Sequence, residues 1–291
     1  MGVFNGVIKL LKSRRLIFLS TTWITLVACL IVGKGFPPLP QTIMAVASVF
    51  FTVASVYIYN DYVDVEMDRL NEVKSHRPLV QGDVSMGFAR VFIVVTALLG
   101  LGLSYLINRV AFLCNLIYYV LLFAYSYPPI RIKKMYMLKE FTISISLFMY
   151  SMIGTAAVSG TITLQGLYLG LILIAFSFLS QPGLHDQFDL KEDTLYGVRT
   201  MASVLPWNTR FWMLVTSIAV PLIVNPLTYD MLGFNVFLPV ATTILCIWSL
   251  LSIFKLRKGY EETQARITRK NVWTFFFLLQ LFMILGAINL F

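Results

Sequence analysis

The chain has 291 residues, 58% hydrophobic and 13% charged, with a mean hydropathy of +0.79 and a net charge of +9. Soluble domains carry about 25% charged residues, so this composition excludes an ordinary water-soluble globule and points to a polytopic membrane protein. The positive charge does not indicate nucleic acid, because it is distributed by membrane sidedness.

In chain order, nine runs reach the roughly 20 apolar residues that a bilayer-spanning helix needs. They cover about 15–33, 42–60, 88–107, 109–127, 140–159, 164–182, 209–226, 233–254 and 272–291. The first begins near Leu16 without a small-residue cleavage site after it, so it reads as a retained span. Turn-forming stretches close several runs: "GKGFPPLP" after the first, "SYPPI" after the fourth, "QPG" after the sixth and "NPLTYD" after the seventh. Cys29, Cys114 and Cys246 all lie inside apolar runs, without metal-ligand spacing, and read as packing residues.

Charge tests this count. With the N-terminus in the cytoplasm and the C-terminus outside, 21 of the 23 Lys and Arg fall on the cytoplasmic side, leaving Lys34 and Arg109 opposite. Positive residues retained inside set the orientation of such proteins. Of the 14 acidic residues, Asp230 is the one on the outer side. Acidic residues contribute little to topology, so their clustering needs another reason.

Two acidic clusters stand out. "NDYVDVEMD" holds Asn60, Asp61, Asp64 and Asp68 after the second run, and "HDQFDLKED" holds Asp186, Asp189 and Asp193 after the sixth. Both triplets are spaced three and then four residues apart, which places each set on one helix face. Like charges at that spacing repel, and a bound cation relieves the repulsion. Mg²⁺, a hard cation, binds through carboxylates and substrate phosphates, so six facing carboxylates could hold two ions and a diphosphate. The clusters recur four spans apart, which suggests pseudo-repeat halves at about 15–134 and 135–258 plus a ninth helix at 272–291, within a single domain of 1–291. Arg77, Arg131, Lys133, Lys134, Lys191 and Arg199 lie nearby and could take an anion, although each also serves the topology rule. His76 and His185 sit beside the clusters, where each is either an acceptor-binding group or a polar residue at a wet helix end. Glu66 falls off the helical face of its cluster.

"NDYVDVEMD" resembles the Asn-Asp-x-x-Asp-x-x-x-Asp signature of the UbiA superfamily of intramembrane prenyltransferases, and "DQFDLKED" resembles that family's second Asp-rich motif. "GVRT" (197–200), "RPL" with Gly82, and "YSYPPIRIK" are also similar to family segments. The resemblance implies an all-α polytopic protein, nine transmembrane helices in one bundle around a central cavity. It implies a Mg²⁺-dependent prenyltransferase that moves a polyprenyl group from its diphosphate to an aromatic or lipid acceptor and releases pyrophosphate. Geranylgeranyl diphosphate is one candidate donor. Asn60, Asp61, Asp64 and Asp68 would bind one Mg²⁺-diphosphate unit and Asp186, Asp189 and Asp193 the other, with Asp61, Asp64, Asp186 and Asp189 as the catalytic carboxylates. Asn60, Arg77, Arg131, Lys133 and Arg199 would contact the diphosphate near the cytoplasmic face. Tyr57, Tyr62, Tyr125 and Tyr127 are candidates to shield an allylic cation. The rival reading is an ion-coupled transporter using the acidic clusters as a cation site.

Overall fold

Prolines, glycines and small polar caps punctuate the chain into helices. The computed structural model describes residues 3–71, 74–195 and 197–288. α1 (Val3–Ser13) leads through Arg14 into α2 (Arg15–Val32). Pro38 caps α3 (Leu39–Val63), whose second residue is Pro40, where a missing N–H costs nothing. A break at Asp64 separates it from the short α4 (Val65–Arg69). The side chain of Ser85 accepts the Phe88 N–H at the start of α5 (Met86–Ile107), and Asn108 accepts the Ala111 N–H at the start of α6 (Arg109–Ser126). α7 (Leu138–Ser159) ends at Gly160, whose φ of 75° suits glycine. α8 (Leu164–Ser180), α9 (Asp186–Leu195), α10 (Met201–Val204), α11 (Trp207–Thr228), α12 (Phe237–Ile253) and α13 (Glu262–Ala287) complete the series.

Among the described residues, nine helices are long and apolar enough to cross a membrane: α2, α3, α5, α6, α7, α8 with its extension to Phe188, α11, α12 and α13. They pack as one bundle. In lipid there is little hydrophobic drive between helices, so close backbone approach and polar bonds hold them together. A Cβ on Gly100 of α5 would meet the Thr52 backbone of α3 at 2.7 Å, and one on Gly154 of α7 would collide with the Thr25 carbonyl of α2. Ser55 Oγ donates across the α3–α5 contact to the Ile93 carbonyl at 2.8 Å. The three cysteines are free and buried, as expected.

Two expected boundaries are corrected. "QPG" does not stop the sixth span. Gln181–His185 forms a wide π turn in which the Asp186 N–H reaches back to the Gln181 carbonyl, and the chain continues helically into α9. The wider turn accommodates Pro182 without ending the helix. "NPLTYD" does close the seventh span, since α11 ends inside it at Thr228, although Pro221 and Pro226 both lie within the helix. Beside Pro226, Asn225 accepts from Tyr168 Oη and donates to Thr242 Oγ1 at 3.0 Å, which ties α11 to α8 and α12. Finally, α13 begins ten residues before the expected 272. Its polar first turns, invisible to an apolar-run search, are fastened to α12 by Asn271 Nδ2, which donates to Ser252 Oγ at 2.9 Å.

Candidate active site

Asp61 lies in the last turn of α3, Asp64 at the break and Asp68 in α4. The Asp64 N–H bonds the Asn60 carbonyl at 3.2 Å and the Asp68 N–H bonds the Asp64 carbonyl at 2.8 Å, so helical register survives the break. All three carboxylates therefore turn the same way and are buried, at 3%, 8% and 4% exposure. Glu66 points outward and pairs with Arg69, off the acidic face as its register requires.

Buried charges need partners. Arg14 Nε donates to Asp61 Oδ2 at 3.1 Å, and its Nη2 reaches the other oxygen. Arg77 bridges Asp61, at 3.0 Å, and Asp68. Asp64 receives Arg131 Nη2 at 2.8 Å and Lys133 Nζ. Asn60 Oδ1 accepts from Ser126 Oγ at 2.8 Å and from Lys133 Nζ at 3.2 Å. Arg131 reaches Asp64 from a left-handed backbone conformation, φ 50° and ψ 54°, which costs a non-glycine residue about 1–3 kcal/mol. Burial raises the Asp68 pKa above the ordinary carboxylate value, with Arg77 opposing. Burial likewise lowers the Lys133 pKa, with Asp64 opposing. Desolvation thus works against both the acid and the base, which suits a site whose charges are completed by a ligand.

The second cluster enters from the π turn. Asp186 is 5% exposed and takes Lys139 Nζ on Oδ1 at 3.2 Å, while its Oδ2 is buried with no hydrogen-bond partner. Neighbouring Asp186 is Glu140, fully buried, whose Oε1 accepts the Met201 N–H at 2.7 Å. The expected Asp189 and Asp193, and Lys191, lie on α9, but their side chains fall outside the described residues. "GVRT" turns the chain: Gly197 takes a φ of 65°, and Thr200 caps α10 in a capping box with Ser203. Arg199 is exposed and does not join the cluster, because this turn directs it outward. His76 is exposed as well.

Between the clusters opens a cavity of about 490 Å³. Its polar end is formed by Arg14, Asn60, Arg77, Lys139, His185 and Asp186, and its walls by Tyr57, Leu122, Tyr125, Leu147, Phe176, Trp273 and Phe276. Of the four expected tyrosines, Tyr57 and Tyr125 line it and Tyr62 and Tyr127 do not; Tyr127 stacks on Phe123 at 5.5 Å. Phe176 stacks on Phe276 at 5.0 Å, and His185 meets Trp273 edge-on at 5.3 Å. A polar head and an apolar tail would both be accommodated.

Sequence reasoning missed Arg14, Lys139 and Glu140 as site residues. Arg14 and Lys139 carry the same local signal as any topology-setting cation, and Glu140 is a single acid at a helix start. Arg210 was missed too: it is buried, bonds Gln187 and lies over the Trp207 ring at 5.4 Å, which holds the π turn against α11.

The donor set fits a hard divalent cation: buried carboxylates on two sides, one with an unpartnered oxygen. Among the described residues, no three metal-ligating side chains converge closely enough to hold an ion by themselves. That suits Mg²⁺, which binds through one or two carboxylates and takes further oxygens from phosphate and water.

Comparison with known proteins places this geometry. The UbiA prenyltransferase family profile matches residues 21–281. The chain is 28% identical over 232 residues to digeranylgeranylglyceryl phosphate synthase of Sulfolobus acidocaldarius, covering 79% of this chain and 81% of that one. It is 28% identical over 180 residues to 4-hydroxybenzoate octaprenyltransferase of Serratia proteamaculans, covering 62% and 60%. In three dimensions it matches a structure of digeranylgeranylglyceryl phosphate synthase in membranes, with a TM-score of 0.82 at 22% identity over 100% of both chains. It also matches a UbiA homolog from Archaeoglobus fulgidus bound to GPP and Mg²⁺, with a TM-score of 0.72 at 18% identity over 96% and 98%. These likenesses establish the fold.

Proposed function

The chain belongs to the UbiA prenyltransferase family, and from that premise we propose which residues perform the transfer and which acceptor it serves. The protein is an integral membrane enzyme that transfers a prenyl group from a prenyl diphosphate to an acceptor, with release of pyrophosphate. The observation that carries the residue assignment is the cavity itself, whose head holds Asn60, Asp186 and the cations Arg14, Arg77 and Lys139, with Arg14 and Arg77 reaching on to Asp61, and whose walls are largely apolar.

One or two carboxylates from Asp61, Asp64 and Asp68, with Asn60, would help to hold one Mg²⁺, and Asp186 with Asp189 and Asp193 would help to hold another, phosphate and water supplying the remaining oxygens. When bound, the ions neutralise the phosphate oxygens and favour departure of pyrophosphate. Arg14, Arg77, Arg131 and Lys133 each exchange part of their hold on an aspartate for a phosphate oxygen as the donor enters, and so steady the growing charge. Tyr57, Tyr125 and Phe176 pack along the allylic carbons, exclude water and present ring faces to the cation that forms as the C–O bond breaks. The acceptor oxygen or carbon then bonds to that carbon and loses its proton. The carboxylates sit at the cytoplasmic mouth, which the charge asymmetry of the connections supports.

The acceptor we infer is a glyceryl phosphate lipid that already bears one prenyl chain, with geranylgeranyl diphosphate as donor. Support comes from the synthases of digeranylgeranylglyceryl phosphate, which align over about four-fifths of the chain, and from Lys139 at the cavity's polar end, which suits a second phosphate. The aligned 4-hydroxybenzoate octaprenyltransferases, over about three-fifths, favour an aromatic acceptor as the second reading. Purified protein given Mg²⁺ and labelled geranylgeranyl diphosphate should prenylate the glyceryl phosphate lipid in preference to 4-hydroxybenzoate. Exclusive prenylation of 4-hydroxybenzoate would overturn the assignment. Label crossing a sealed vesicle without pyrophosphate release would instead revive the transporter.

A further inference from the structure

α1 has 11 residues. Its side chains fall into three sectors. Gly6 and Leu10 are buried, with Leu10 packed in a cluster that includes Ile58, Val65 and Leu79. Phe4 and Ile8, one turn apart, stand 78% and 43% exposed. Asn5 and Lys12 are exposed on a third side, beside Lys9, which pairs with Asp83 at 3.1 Å.

The exposed apolar sector continues onto Leu16 and Leu19 of α2, exposed at 74% and 65% on a helix that crosses the membrane. That continuity identifies the occupant as lipid. A helix buried on one flank, apolar on the second and cationic on the third has the arrangement of one lying in the membrane–water boundary. The helix also ends directly on the active site. Ser13 Oγ bonds the Leu10 carbonyl at 2.7 Å, the Arg14 N–H bonds the Leu11 carbonyl at 3.3 Å, and the next atoms outward are the Arg14 guanidinium on Asp61. No spacer separates the seating of α1 from the position of that guanidinium.

We propose that α1 lies flat in the lipid interface, with Phe4 and Ile8 at the acyl boundary and Lys12 toward the headgroups, and that this seating holds Arg14 on Asp61. The first half rests on membrane embedding alone. The second rests on the reading of Arg14 as a donor-binding residue, so the two need separate measurements.

The full chain in phosphatidylcholine–phosphatidylglycerol nanodiscs is spin-labelled at Phe4→Cys, Ile8→Cys or Lys12→Cys in turn; the native cysteines are buried. Collision with oxygen should dominate at 4 and 8, and collision with a nickel chelate at 12. Equal nickel access at all three places α1 in water and overturns the proposal. Spin–spin broadening at 4 or 8 with two copies per disc identifies a second copy as the occupant and overturns it too. For the coupling, Ile8→Asp should raise the KM for prenyl diphosphate several-fold while kcat is retained. A lower yield of active protein with unchanged KM would mean that α1 only aids folding.

Discussion

Arg14 and Asp61, 47 residues apart in the chain, form a two-pronged ion pair at the mouth of the cavity. One comes from the junction before the first span and the other from the end of the second. The pair joins a helix entry that looks purely topological to the first acidic cluster. Removing one prong of such a bond typically costs about 1.5–3 kcal/mol.

Arg14→Ala should therefore reduce kcat/KM for the prenyl diphosphate by roughly 10- to 100-fold. Arg14→Lys should recover part of that loss, because an ammonium cannot reproduce the fork of a guanidinium. Steady-state assays with labelled donor distinguish the two.

Asp61→Ala, Asp64→Ala and Asp186→Ala should each abolish transfer while leaving the protein in the membrane. Chelating divalent ions should do the same to the native protein, with Mg²⁺ restoring turnover. Calorimetric titration of Mg²⁺ with pyrophosphate should show weakened binding in each variant; a native-like isotherm in Asp64→Ala would remove that residue from the metal site.

Arg77 and Arg199 make a contrasting pair. Arg77 bridges two buried aspartates, so Arg77→Ala should cost at least about tenfold in kcat/KM. Arg199 is exposed, and Arg199→Ala should stay within about twofold, as surface changes generally do.

Glu140 fastens the turn between α9 and α10 to α7. Glu140→Ala leaves the Met201 N–H without its acceptor and should destabilise the protein by about 1–3 kcal/mol. Glu140→Gln keeps an acceptor oxygen and should lose less. Thermal unfolding in detergent gives the order.

Phe276→Trp should narrow the apolar end of the cavity and raise the KM for geranylgeranyl diphosphate more than for geranyl diphosphate. Equal effects on both donors would place the tail elsewhere.

The membrane class, the span count and the first acidic face were legible in the chain because each is a local or periodic property. Twenty apolar residues are visible as a run, and spacings of three and four name one helix face whether or not the helix is broken at Asp64. Proline misled at Pro182 because its cost depends on the geometry of its own turn: the wide π turn at Gln181–His185 accommodates it, and the chain continues into α9. What the tertiary structure alone decided is which cations serve the site. Arg14, Arg77, Arg131 and Lys139 converge on carboxylates while Arg199 faces outward, although all five carry the same charge near the same membrane border. Net charge is additive along a sequence, but an ion pair requires two groups within about 4 Å, and only the packing of distant helices sets that distance.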